Sequence, residues 1–269
     1  MQAGKLQVAG GTLETAWWGR GPTEAPTLVL LHEGLGSVTL WRDVPERLAA
    51  STGWGVFAYS RFGYGYSDTT PLPRPMTYMH DEARLVLPQV LHAAGIERAA
   101  LIGHSDGGSI AAIYAGSGPP EGVATGDVRL LGLITIAAHF FVEDLNLASI
   151  RQIRTEFESG TLRPRLARYH RDVDAAFRGW NDAWLDPRFR DFDITGFLPK
   201  IQVPILALQG EVDPYGSDEQ LRVFQANVRA PITTRLIPGA RHAPHLEARD
   251  TTLAAITDFV ANLPRGSST

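Results

Sequence analysis

Short runs of consecutive apolar residues recur along this chain. Between them lie stretches in which apolar positions return every three or four residues. Thr27–Leu31, Val56–Tyr59, Ala99–Ile102, Leu130–Ala137 and Pro204–Leu208 are runs of the first kind and read as strands buried on both faces. Thr234–Ile237 adds a strand near the end, and Leu6–Val8 with Leu13–Trp18 form an opening pair. Asp43, Pro45 and Glu46 start a helix: Asp caps it, Pro sits in the first turn, and the acid favours the helix dipole. Residues 77–94 place Met79, Ala83, Val86, Leu87, Val90, Leu91 and Ala94 on one helical face, and Ser109–Tyr114 reads as helix. Apolar strands alternating with helices predict a mostly parallel, doubly wound, eight-stranded α/β sheet covered on both faces.

Residues 139–200 break that alternation. They are rich in arginine and aromatics and read as helices without strands, a helical cap inserted after the sixth strand. The expected organisation is a core of residues 1–138 and 201–264, a cap of 139–200, and a disordered polar tail of 265–269.

Composition narrows the classes. The chain has 269 residues, 44% hydrophobic and 20% charged, which suits an ordinary globular enzyme. A net charge of -4 without a basic block argues against nucleic acid or an anionic membrane as partner. With no cysteine, disulfides and thiolate metal sites are excluded. No apolar run approaches the ~20 residues of a spanning helix, and the first residues carry no signal-peptide pattern. A cytoplasmic protein, monomer or homodimer, with a small-molecule substrate is expected. Lysine occurs only at positions 5 and 200, a bias towards arginine that suggests a bacterial source.

The strongest chemical signal is Leu101-Ile102-Gly103-His104-Ser105-Asp106-Gly107-Gly108, which holds G-x-S-x-G between an apolar strand and a helix. A sharp strand-to-helix turn there strains the backbone at Ser105 and exposes its hydroxyl. A serine is a weak nucleophile until a base takes its proton, and the base needs a carboxylate to orient it. Gly210-Glu211-Val212-Asp213 follows one strand and Gly239-Ala240-Arg241-His242 follows the next, where open α/β sheets bind ligands. Asp213 is the candidate acid, with Glu211, Glu143 and Asp144 as rivals. His242 is the candidate base, with His245 as rival. His80, His92 and His170 read as packing or surface residues.

With LHEGLGS over residues 31–37, GHSDGG, GEVDP and GARHAPHLE in this order, the chain resembles the α/β-hydrolase superfamily over nearly its whole length. The resemblance implies Ser105 as nucleophile, Asp213 as acid and His242 as base. It implies an oxyanion hole from the main-chain N–H groups of Gly34 (or Glu33) and Asp106. Glu33 departs from the family's usual glycine. Its carboxylate is expected to point away from the oxyanion, braced by Arg61 or Ser37, with substrate contact as the alternative. The Asp106 carboxylate is expected to stay in the first helical turn. Phe140, Phe141, Trp180 and Trp184 are candidates for an apolar acyl pocket. Leu35, His139, Phe140 and Trp184 stand with Glu33 as the expected substrate contacts. Neither metal-ligand spacing nor G-x-G-x-x-G after a strand occurs, so no cofactor or metal is expected.

These features imply a serine hydrolase of small apolar or aromatic carboxylic esters. Alternatives are a C–C hydrolase of ring-fission products, a cofactor-free dioxygenase in which Ser105 is dispensable, and a ligand receptor on the same scaffold. A haloalkane dehalogenase is disfavoured, because that chemistry uses Asp where Ser105 stands.

Overall fold

The computed structural model describes residues 1–118 and 128–264. Eight strands, β1 (Gln2–Val8), β2 (Gly11–Trp18), β3 (Thr27–Leu31), β4 (Gly55–Tyr59), β5 (Arg98–His104), β6 (Arg129–Ile136), β7 (Ile205–Gly210) and β8 (Ile232–Ile237), form one sheet. Its order is β1-β2-β4-β3-β5-β6-β7-β8. The first two strands join antiparallel, and from β4 to β8 all pairs are parallel. Alternate residues feed two cores. Val29 and Leu31 of β3 pack on one face, Leu28 and Leu30 on the other, all fully buried. Helices Val44–Thr52 and Arg249–Ala261 cover the second face.

Two local expectations are corrected. Asp43 precedes its helix but makes no side-chain cap; its carboxylate pairs with Arg47 (2.7 Å) and Arg249 (3.0 Å) instead. The face over 77–94 is not one regular helix, because the backbone widens into a π-type turn over Glu82–Val86 before resuming at Leu87–Ala93. Pro88 has no N–H for the preceding turn and its ring crowds that turn's carbonyl, so a wider turn just ahead of it relieves both.

Between β6 and β7 the chain forms helices Asp144–Glu158, Arg163–Leu166 and Val173–Leu185, then two short 3₁₀ turns. The two longer helices are joined by Phe157 stacked on Phe177 at 3.7 Å, and by Asn181 donating to the Ile150 carbonyl (3.1 Å). Asp172 caps the last of them through the Ala175 N–H. This insert reaches over the carboxyl ends of β3 and β5: Trp184 donates to Asp106 (3.2 Å), and His170 donates to the Leu35 carbonyl (3.0 Å). The expected tail, 265–269, lies outside the described residues. Among the described residues, no helix is long and apolar enough to cross a membrane.

Candidate active site

The loops after β3, β5, β7 and β8 converge on one cavity of about 100 Å³. Glu33, Gly34, Leu35, Ser105, Asp106, His139, Trp184 and His242 line it. Ile150, Trp180 and Tyr215 complete the wall.

Ser105 ends β5 with φ 52° and ψ -121°, a strained left-handed conformation rare outside glycine. The strain persists because the elbow is fixed on both sides: Ser105 N–H donates to the Ile136 carbonyl (2.8 Å), and Gly108 and Ser109 N–H donate back to Ser105. Gly107 permits the closest approach. A Cβ there would sit 2.0 Å from the Leu31 carbonyl oxygen, so the elbow packs directly on the end of β3. Asp106 opens helix Asp106–Ser117, so its N–H has no partner within that helix, and the residue lines the cavity.

Asp213 stands after β7 with its side chain buried. One oxygen accepts from Gln209 (2.6 Å), the other from the Tyr215 N–H (2.8 Å), and both lie within 3.0 Å of His242 Nδ1. Burial pushes this carboxyl up, but the His242 hydrogen bond and charge outweigh it and hold the group below its ordinary value. Asp213 therefore stays ionised and fixes the His242 tautomer with its proton on Nδ1, leaving Nε2 free to accept. The rivals are engaged elsewhere: Glu143 binds Ser217 and Gln220, Asp144 pairs with Arg190, and Glu211 accepts from Gly239 N–H. His245 turns away from Asp213 and packs edge-on to His104 at 4.6 Å and against Trp41 at 5.2 Å.

His242 is enclosed by rings. Tyr215 lies 4.6 Å from it and His139 stacks at 5.9 Å. Burial, then the neighbouring His242, push His139 down to about 3, so it is a neutral wall. Five buried or half-buried histidines, 32, 80, 139, 170 and 245, are all held below the ordinary value, with burial the leading cause in each. Below about pH 6.5 the unfolded chain takes up protons that these folded sites refuse, so stability falls as pH falls. His104, whose value is raised, opposes the trend, as does the buried Glu82 carboxyl, which burial pushes up. From His139 alone the expected loss by pH 5 is about 2 kcal/mol. Urea midpoints at pH 7 and pH 5 check this, and equal midpoints would count against buried neutral histidines.

The loop after β3 is built around its main chain. His32 Nδ1–H donates to the Glu33 carbonyl (2.7 Å), and Arg61 Nη2 donates to the same oxygen (2.9 Å). His170, from the insert, accepts from Gly65 N–H and donates to the Leu35 carbonyl, both at 3.0 Å. The loop thus has its carbonyls held outward. Gly34 lies directly under Trp180, where a Cβ would meet the indole nitrogen at 2.1 Å. Gly34→Ala is therefore expected to push Trp180 off the cavity and shift its fluorescence. With Gly34 N–H as the expected oxyanion donor, it should also lower kcat/KM about 10²-fold, the size of losing one such donor. An unshifted spectrum with full activity would contradict this packing.

Several expectations change. The Glu33 carboxylate meets neither Arg61 nor Ser37: Arg61 takes the main-chain oxygen, the Ser37 hydroxyl has no partner, and Oε2 lies 3.5 Å from His104 Nδ1. Asp106 does point away from the cavity's reaction end, into a buried set of donors from Tyr78 (2.7 Å) and Trp184 (3.2 Å), with Arg61 at 3.9 Å. Phe140 is not a cavity residue. It is fully buried against Phe224 at 4.2 Å, because the backbone turn at Ala137 (φ 50°) sends His139 to the cavity and Phe140 to the core. Phe141 is likewise absent from the lining, bridging instead to Asp193. Sequence reasoning missed Tyr215, His170 and His104. Tyr215 could have been found two residues after Asp213, but nothing local marks the other two.

Residues 26–126 match the family model described as alpha/beta hydrolase fold. The chain has the α/β-hydrolase fold. A proline iminopeptidase of Lactobacillus helveticus is 24% identical over 276 residues, covering 88% of this hydrolase and 90% of the relative. The proline iminopeptidase structure from Mycobacterium smegmatis aligns with TM-score 0.74 at 18% identity, over 97% of this hydrolase and 98% of that chain. The enol-lactonase structure from Burkholderia xenovorans LB400 aligns with TM-score 0.73 at 18% identity, over 96% and 100%. The chain therefore shares its fold and near-full length with these enzymes.

Proposed function

We propose that the protein is a serine hydrolase that cleaves small apolar or aromatic carboxylic esters through an acyl-enzyme. The observation that carries the reading is the Asp213–His242 pair, 2.9 Å apart and buried at the acid, facing the same cavity as the strained Ser105. Ser105 Oγ attacks the ester carbonyl carbon while His242 Nε2 takes its proton. Asp213 stabilises the imidazolium without accepting its proton. The N–H groups of Gly34 and Asp106 receive the oxyanion, His242 returns the proton to the leaving alkoxide, and water activated by His242 then releases the acid.

The wall supports the substrate class. Leu35, Ile150, Trp180, Trp184 and Tyr215 offer apolar and aromatic surface, and among the described residues no arginine or lysine lines the cavity. A substrate carrying a carboxylate beside the scissile bond would find no counter-ion there. The small volume favours short or flat acyl groups. A lactone is a cyclic ester, so the enol-lactonase likeness agrees with this reading. No cofactor is called for, and the substrate is a small molecule handled by a cytoplasmic monomer or homodimer.

Nitrophenyl esters of increasing acyl length, with Ser105→Ala alongside, test the reading. Turnover that falls steeply beyond short chains is expected. A proline nitroanilide belongs in the same screen, given the names of two relatives, and so does a ring-fission product followed by its visible absorbance. Cleavage of either one in preference to every ester would overturn the ester assignment.

A further inference from the structure

Glu33 lines the cavity, yet its carboxylate turns to the elbow residue His104. His104 Nε2 lies 2.8 Å from the main-chain oxygen of His242. A carbonyl only accepts, so Nε2 carries a hydrogen. Nδ1 lies 3.5 Å from Glu33 Oε2 and has no other partner. A neutral ring protonated on Nε2 would aim its Nδ1 lone pair at a carboxylate, acceptor against acceptor. A second proton, on Nδ1 and facing Oε2, removes that conflict, and the 3.5 Å separation is then an ion-pair contact in a side-chain enclosure.

The packing is specific to this arrangement. At Gly36 a Cβ would come within 2.4 Å of Glu33 Oε2, so the loop is shaped to admit the carboxylate. We propose that Glu33 and His104 are positioning residues held by one proton, carried on His104 Nδ1 and facing the Glu33 carboxylate, which locks the oxyanion loop to the loop carrying His242. The proposal rests on the serine mechanism above for its catalytic consequence.

The surroundings agree. His104 is faced by Glu33 from the β3 loop, by His139 from the loop after β6, by His242 and His245 from the loop after β8, and by Asp213 from the loop after β7. Glu33 is faced by His104 and His32, by Arg61 through its own carbonyl, and by the more distant His170. Burial disfavours charge on His104, but Glu33 and the His242 carbonyl outweigh it and raise its pKa. Burial likewise pushes Glu33 up, while His104 holds it well below the usual carboxylate range.

Glu33→Gln separates this role from plain bracing. The amide N–H₂ donates to a neutral Nδ1, so the lock survives without the Nδ1 proton. Glu33→Ala and His104→Ala lose the lock. At pH 7 the two alanine variants are expected to lower kcat about 10- to 10²-fold with KM within about threefold, the scale of a misplaced catalytic group. Glu33→Gln should lose less than about threefold. Wild-type kcat should fall on the alkaline side as the Nδ1 proton is lost, and Glu33→Gln should lack that fall. By NMR, the His104 ring should titrate above the ordinary value of about 6.5 in wild type and below it in Glu33→Gln. If Glu33→Gln drops as far as Glu33→Ala, or keeps the alkaline fall, or His104 titrates alike in both, the proposal is overturned. The NMR titration does not depend on turnover. It decides the Nδ1 proton even if Ser105 proves not to be the nucleophile, and it needs only the two Glu33 variants if His104→Ala fails to fold.

Discussion

Ser105→Ala lowers kcat on a short-chain nitrophenyl ester by about 10⁶-fold, the scale reached when a triad nucleophile is removed. The size follows from the absence of a substitute. Among the described residues that line the cavity, no other serine, threonine or cysteine stands beside His242. KM should change little, because the hydroxyl contributes little to the wall that binds the ester. The fold should persist, since alanine keeps the Cβ that makes φ 52° costly and the elbow is held by main-chain bonds to Ile136, Gly108 and Ser109. A residual acceleration of about 10³ over water is expected from the oxyanion donors and binding alone. Retention of activity within tenfold would favour the chemistry in which Ser105 is dispensable and His242 is the only base. Steady-state kinetics with thermal melts of both proteins check the two halves of the statement.

Gly107→Ala should be as damaging by a different route. Its Cβ would need space now held by the Leu31 carbonyl at 2.0 Å and the His32 carbonyl at 2.7 Å. These are backbone atoms on the central strand β3 and on the start of the oxyanion loop, so no side-chain rotation makes room. Overpacking of this kind costs about 3 kcal/mol, equal to a fall of roughly 6–12 °C in the thermal midpoint for a chain this long. Whatever folds should also be slow, because forcing β3 from the elbow separates Gly34 N–H from Asp106 N–H. A loss of about 10²-fold in kcat at low temperature is expected. An unchanged midpoint would mean that the elbow and β3 are not in this register.

Much of this was readable before any coordinates. The central strands were the plainest, because a parallel sheet buried on both faces needs consecutive apolar residues, as in Thr27–Leu31 and Leu130–Ala137; the antiparallel β1 and the half-exposed β8 carry a weaker signal. The elbow was readable for a similar reason: G-x-S-x-G between a strand and a helix has one steric meaning. Asp213 and His242 followed from their places just beyond strand ends, and the structure puts them 2.9 Å apart. What escaped was set by long-range packing. Phe140 looked like a cavity residue because it follows β6, but the positive φ at Ala137 reverses which neighbour faces inward. His170 and His104 carry no local signal, since each acts through a carbonyl 135 or 138 residues away. Glu33 was visible as an anomaly. Its partner was not, because two nearer candidates, Arg61 and Ser37, satisfied the same chemical need on paper.

Two acids, Asp106 and Glu33, line a cavity proposed to stabilise negative charge, and each is held by a partner. Asp106 is drawn into a buried set of donors from Tyr78 and Trp184, with the Arg61 guanidinium nearby. Glu33 is drawn to His104. Each carboxylate thus has its charge answered by its own partner, which leaves the proposed oxyanion donors, the main-chain N–H groups of Gly34 and Asp106, unopposed.

The central claim is that Ser105 is a nucleophile activated by His242 and Asp213. Labelling with a fluorophosphonate, followed by intact mass and peptide mapping, tests it most directly. One adduct per chain is expected, on Ser105, formed at least about 10³-fold more slowly in His242→Ala. An unlabelled wild type, an adduct elsewhere, or equal labelling of His242→Ala would contradict it.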